Sequence, residues 1–172
     1  MIELHPPLTQ DDVSRLKIGD TILIVGEVLA GRDAVLPRLS RMTAGELTKA
    51  GIRLEGAVIF HSAVSGAGIG PTSSNKVEIE GSIPALSGMG VRMHVGKGAL
   101  SDATVQALAE AGSIYAVTPP VSALQTSALT ARQVLAFAEE GMEALHVLTT
   151  TGLAAVVASA HGESIWTRHG GG

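Results

Sequence analysis

"VRMHVGKGALSDATVQALAEAGSIYAVTP", residues 91–119, changes its periodicity twice within one run. VRMHVG is short, apolar and rich in valine, which suits a buried strand. SDATVQALAEAG then has the marks of a helix. Ser101 can cap it, Asp102 suits its positive end, Val105, Leu108 and Ala109 share one face, and Gly112 stops it. SIYAVTP returns to a strand, ended by Pro119-Pro120. Strands alternating with helices argue for an α/β fold.

The same reading extends in both directions. In LKIGDTILIVGEVLAG, five of the eight residues from Thr21 to Val28 are Thr, Ile or Val, and a strand is expected there. Thr43 to Ala50 reads as a helix ending at Gly51, and Pro37 fits only the first turn of a helix. GAVIFHSAV is a further buried strand. Val121 to Glu140 stays ambiguous. Its alanines favour a helix, while RQVLAFAE alternates as an edge strand would. GLAAVVASAHGESIW reads as a strand, a His-Gly turn and a short return strand, which brings antiparallel pairing into the sheet. The tail RHGGG is expected to fray. Neither a repeat nor a linker divides the chain, so residues 1–172 are expected to form a single domain with its core over about 16–166.

Composition limits the function. The chain has 172 residues, 45 % of them hydrophobic and 16 % charged, as in a globular protein with a real core. Aromatics make up 2 %, so the core must be aliphatic and little surface is left for stacking bases. The net charge of −4 and the lack of any basic run argue against nucleic acid or an anionic membrane as the main partner. With no cysteine, the chain has neither a disulfide, a thiol nucleophile nor a thiolate-held metal or cluster. MIELHPPLTQDD lacks the pattern of a signal peptide, and no apolar run approaches the roughly 20 residues that span a bilayer. A soluble cytoplasmic location is the expectation.

The chemistry concentrates in GIGPTSSNK, residues 68–76. Glycines let backbone amides approach a ligand, and successive amides can form a nest for negative charge. Thr72, Ser73 and Ser74 add hydroxyls and Lys76 adds a cation. An ordinary surface loop would use the same residues for turns. The Walker pattern is absent, because Lys76 does not follow a glycine and no strand–loop–helix order is read around it. Arg32, in AGRDA, and Lys97, in HVGKGAL, stand just past strand ends, where open α/β sheets tend to place ligands. If the three loops met, Arg32, Lys76 and Lys97 could hold a ligand with two carboxylates. As separate loops they would be three solvated cations. Asp33 could orient the Arg32 guanidinium or cap the next helix. His61, His94 and His146 lie in apolar surroundings and read first as hydrogen-bonded core or edge histidines.

Taken in order, LKIGDTILIVGEVLAGRDA, AVIFHSAV, GIGPTSSNK, VRMHVGKGALS and EEGMEALHVL resemble the β-subunit, or C-terminal domain, of class I iron–sulfur fumarase and L-tartrate dehydratase, from about Leu16 to Trp166. The resemblance implies a swivelling β/β/α domain with a mixed sheet. It also implies a companion α-subunit that carries a [4Fe–4S] cluster, so no cofactor is bound by this chain itself. The implied reaction is the reversible dehydration of a 2-hydroxy dicarboxylate. A cluster iron would act as Lewis acid on the leaving hydroxyl, and a base would remove the proton beside the other carboxylate. The family's GPTTSxR motif maps its catalytic threonine onto Thr72 and its carboxylate-binding arginine onto Lys76. The RDA arginine maps onto Arg32 and the GKG lysine onto Lys97. Thr72 and Lys97 are thus expected in catalysis and Arg32, Gly70, Ser73 and Lys76 at the substrate, with Asp33 and His61 in support.

Some positions depart from the family. Leu36 replaces a histidine, Ala63-Val64 replaces Gly-Pro, Lys76 replaces arginine, and Pro119-Pro120 lies where glycines are usual. A divergent, non-catalytic binding or regulatory module of the same fold is therefore the alternative, as is a related dehydratase with a less charged substrate. An exposed apolar face is expected for the α-subunit, and isolated chains could pair through it as a homodimer.

Overall fold

The computed structural model describes residues 1–65, 68–72, 76–118 and 129–166, with the backbone alone at residues 63, 65, 68–72 and 76–79. In chain order the strands are β1 (Ile2–Leu4), β2 (Thr21–Ala30), β3 (Val58–Phe60), β4 (Ser62–Ser65), β5 (Gly68–Thr72), β6 (Met93–Gly96), β7 (Ile114–Val117), β8 (Leu129–Ala136), β9 (Leu145–Ala160) and β10 (Glu163–Ser164). The α-helices are α1 (Gln10–Ser14), α2 (Leu36–Leu39), α3 (Ala44–Ala50), α4 (Lys76–Gly88) and α5 (Asp102–Ala111), and a 3-10 helix covers Ala138–Glu143.

The fold is mixed α/β. Strands β2, β3, β6 and β7 are successively parallel, and β9 runs antiparallel to both β7 and β2. These five pairings close the sheet into a ring. β9 can join both sides because it is long. Its first half lies between β2 and β8, and its second half between β2 and β7. β1 adds to the first half of β2 in parallel, and β4–β5 is a separate antiparallel hairpin.

The two-residue period of the strands divides the core. Ile22, Ile24, Val58, Phe60, Met93, Val95, Ile114 and Val157 are among the residues buried inside the ring. Residues of opposite parity face the helices. Leu29, Ile59 and Leu145 pack with Leu36, Leu39 and Leu86, while Tyr115 and Ala158 pack with Ile83 and Leu108. Helix α4 therefore joins both outer clusters, through Leu86 and Ile83.

Several local expectations hold. The Ser101 hydroxyl accepts from the Thr104 amide at 3.3 Å, and α5 stops at Gly112 with φ 72°. Thr43 caps α3 in a reciprocal pair with Glu46, and Gly51 ends it. Pro37 lies in the first turn of α2. His161 and Gly162, both with positive φ, turn β9 into β10.

Others need correction. A strand does precede Lys76 and a helix does begin at it, because β5 ends at Thr72 and α4 begins at Lys76. Pro84 and Gly81 hid this helix, and burial of Ile83 and Leu86 overrides their poor propensity. Asp33 does not cap α2, whose cap position is Val35. In the ambiguous stretch, residues 129–136 form an edge strand and 138–143 a 3-10 helix. β9 begins seven residues before Gly152, the start expected from the sequence, because its pairing with β2 and β8 outweighs a polar TTT run. Pro119-Pro120, Val121 to the residue at 128, and the RHGGG tail lie outside the described residues. Among those described, no helix is long and apolar enough to cross a membrane.

Candidate functional site

Parallel strands put their carboxyl ends on one edge. β2 ends at Ala30, β3 at Phe60 and β6 at Gly96, and the residues that follow are Gly31-Arg32, His61-Ser62 and Lys97. Two backbone bonds continue the ladder past the strands, from the Gly31 amide to the Phe60 carbonyl at 3.0 Å and from the His61 amide to the Val95 carbonyl at 2.9 Å. The β4–β5 hairpin starts at this edge and folds back on itself. Its register sets Thr72 opposite Ser62, so the backbone of Thr72 returns to the end of β3. Arg32, His61, Thr72 and Lys97 thus belong to one edge. Lys76 opens α4 a few residues beyond Thr72, Gly70 lies within β5, and Ser73 is outside the described residues.

Two glycines fix how these side chains are held. A Cβ on Gly31 would stand 2.9 Å from Val35 Cγ2 and 3.1 Å from Leu36 Cδ2, so the close packing of the next turn against Arg32's neighbour requires glycine. A Cβ on Gly96 would lie 3.2 Å from the Tyr115 hydroxyl oxygen. That hydroxyl donates to the Gly98 carbonyl at 3.1 Å and anchors the turn carrying Lys97, which is exposed. Burial raises the phenol pKa of Tyr115 and keeps it a neutral donor. Tyr115 escaped the sequence reading because strand parity alone does not say which turn a hydroxyl reaches.

The histidines separate. His146 is buried at the start of β9, opposite Ala30, with its Nδ1 2.9 Å from the Ala144 carbonyl. His61 and His94 instead meet. His61 Nε2 is 3.0 Å from His94 Nδ1, and His94 Nε2 is 2.9 Å from Ser87 Oγ of α4. All three residues are buried. Burial lowers the pKa of His61 to about 4. It lowers that of His94 well below the ordinary value, with the neighbouring His61 acting in the same direction. Both rings are therefore neutral at pH 7. The sequence held no sign of this contact, which depends on β3 and β6 being neighbours and on α4 lying over them. Two buried polar atoms at the edge, Arg32 Nε and His61 Nδ1, have no hydrogen-bond partner among the described residues.

The arrangement can bind an anion. Arg32 and Lys97 supply positive charge, and the buried Arg32 Nε–H, without a partner among the described residues, is a donor suited to an oxygen acceptor. Beside the edge, an open cavity of about 320 Å³ is lined by Val64, Arg132, Val134, Met142 and His146, among others. Val134 and Met142 are exposed there, and Arg132 is a cation the motifs did not single out. A larger cavity of about 460 Å³ lies between Pro6-Pro7 and the start of β3, away from this edge. Leu36, where the resemblance implies a histidine, is part of the core under α2. No cluster of three or more His, Cys, Asp or Glu fit to hold a metal occurs among the described residues.

Comparison with known proteins gives two findings. The sequence matches the family described as Fumarase C-terminus over residues 1–169. It is 32 % identical over 128 residues to a protein of Geobacillus stearothermophilus named "Putative fumarate hydratase class I", which covers 67 % of this chain. The chain spans 23 % of the length of that relative.

Proposed function

The chain belongs to the fumarase C-terminus family, and from that premise we propose that it is the substrate-closing component of an iron–sulfur hydro-lyase acting on a 2-hydroxy dicarboxylate of the malate or tartrate type. In this reading it is a swivelling β/β/α domain equivalent to a β-subunit, working in the cytoplasm. It completes an active site with a cluster-bearing α-subunit. The observation that supports this most is the meeting of Arg32, Lys97 and the Thr72 backbone at one carboxyl edge.

The residues of this chain do not fit a cluster site, since it has no cysteine. The cluster is assigned to the partner, and the steps below use this chain alone. Arg32 binds one substrate carboxylate, and Lys76 and Lys97 add charge near the other. The proton beside that carboxylate passes to the Thr72 oxygen. Its electron pair forms the new double bond as hydroxide leaves the adjacent carbon. Negative charge grows on the carboxylate during this step, and the fixed cations stabilise it. A threonine hydroxyl is a weak base, so Thr72 depends on those cations and on the amides of the Gly68–Thr72 strand to lower its pKa. Gly70, Ser73, Asp33 and His61 shape the site around it.

One observation favours the alternative of a non-catalytic binding module. Leu36 is buried in the core, so the position where the resemblance implies a histidine is given over to packing here. Reconstitution separates the two. The chain is mixed anaerobically with a cluster-bearing α-subunit and assayed against a panel of hydroxy diacids. Dehydration of at least one diacid by the mixture, and by neither part alone, is the expected result. Binding of diacids without turnover would support the binding module.

A further inference from the structure

Helices α1, α3 and α5 each open on a hydroxyl cap, and the cap of α5 is completed differently. In α1 and α3 the cap is reciprocal. Thr9 and Thr43 accept from the amide three residues on, and the carboxylates of Asp12 and Glu46 accept in return from the cap amide. In α5 the equivalent residue is Thr104, whose hydroxyl pairs with that of Ser101 at 3.1 Å. The Ser101 amide donates instead to Oε1 of Glu80, on α4. The missing half of the cap thus comes from another helix, and its negative charge lies at the positive end of α5. The bond uses the Ser101 backbone, not its side chain.

This bond fixes one end of the turn that carries Lys97. Between Gly96, where β6 ends, and Ser101, the Tyr115 hydroxyl holds the Gly98 carbonyl and Glu80 holds the Ser101 amide. Leu100 packs with Ile83 and Leu108 beneath the turn, while Lys97 is exposed. On α4, Glu80 stands one turn after Lys76 and shares a face with Ile83 and Ser87. Ser87 meets His94 of β6, so one helix face touches both β6 and the turn that follows it. We infer that Glu80 is a positioning residue, whose hydrogen bond ties the Lys97 turn to α4 and so fixes the backbone at positions 76 and 97 as one body. Its consequence at the ligand rests on the carboxylate-binding reading above. It adds to that reading an acidic residue that helps a cationic site. A bare charge effect has the opposite sign, because removing a carboxylate near such a site should strengthen the binding of a dianion.

Amide exchange in the full chain, followed by NMR, tests the tie without any ligand. In Glu80→Ala the Ser101 amide should exchange at least about tenfold faster while the amides of β7 keep their protection. Glu80→Gln retains an acceptor oxygen and should keep wild-type exchange. Unchanged exchange at Ser101 in Glu80→Ala overturns the tie. If that variant does not fold, Glu80→Asp, one methylene shorter, is read in the same way. Calorimetry with succinate then tests the consequence. Glu80→Ala should bind about three- to tenfold more weakly than wild type, the range of a coupling between neighbouring groups, and Glu80→Gln should bind as wild type or more tightly. In a Lys97→Ala background, Glu80→Ala should weaken binding no further. Equal or tighter binding in Glu80→Ala, or a full further loss in the double variant, overturns the positioning role. If the wild-type chain binds no succinate, the carboxylate reading fails, and the exchange result alone decides whether Glu80 holds the turn.

Discussion

The α5–β7 unit and the β4–β5–α4 unit sit side by side in the molecule and are built on opposite terms. In α5–β7 every local rule agrees with the fold. Ser101 caps, Val105 and Leu108 bury one face, Gly112 stops the helix, and Ile114 to Ala116 are buried. In β4–β5–α4 the local rules conflict with it. A strand contains Gly-Pro, a helix contains Pro84, and a neutral histidine pair, with one ring nitrogen unpartnered among the described residues, lies beneath. Natural sequences break local consistency mainly where function requires it. In the proposed reading the first unit is a stabilising frame, and the second is the part that meets ligand.

That contrast is open to test, beginning with the largest effect. Thr72→Ala and Arg32→Ala should each lower the activity of the reconstituted enzyme by about a hundredfold or more, the scale of a lost base or charge-stabilising donor. Both should unfold at the wild-type temperature. If both variants kept full activity, the division would fail at the functional end. Leu108→Ala, in the frame, should do the reverse. It should cost about 2–5 kcal/mol in chemical denaturation, with unchanged kcat/KM for the folded fraction.

A pH series sharpens the picture of the histidine pair. His61 has its pKa lowered from 6.5 to about 4 by folding. Between these values the unfolded chain binds the proton more readily, so stability is complete above pH 6.5 and falls as pH drops toward 4. The loss is on the order of 3 kcal/mol for His61, and His94 adds to it in the same direction. Unfolding free energies measured across that range should show the slope, and His61→Asn should reduce it, leaving the share that comes from His94. The smallest effect is expected at the cap, where Ser101→Ala should cost about 1 kcal/mol and leave activity alone.

The same contrast explains what could be read from the residues. β2, α3, α5, β7 and the β9–β10 turn were legible because caps, periodicity and turn residues all act within a few positions. Helix α4 was not, because only the burial of Ile83 and Leu86 makes Pro84 and Gly81 tolerable. The first half of β9 was hidden because Thr149 to Thr151 are polar and their strand state comes from pairing with β2 and β8. At the candidate site, Arg32, Thr72 and Lys97 stood out by their glycine-flanked spacing and by resemblance. Ser87 and Tyr115 carried no such mark. Each acts through a contact with a residue on another element, Ser87 with His94 and Tyr115 with Gly98.

Dicarboxylate affinity addresses the positive carboxyl edge most directly. Succinate binding is measured calorimetrically for the wild-type chain, for Arg32→Ala and for Val105→Ala. At least a tenfold weakening in Arg32→Ala, about 1.4 kcal/mol, with wild-type affinity in Val105→Ala, is the predicted result. Equal affinity in wild type and Arg32→Ala would contradict the account, because the ligand would then bind somewhere other than the edge where β2, β3 and β6 end.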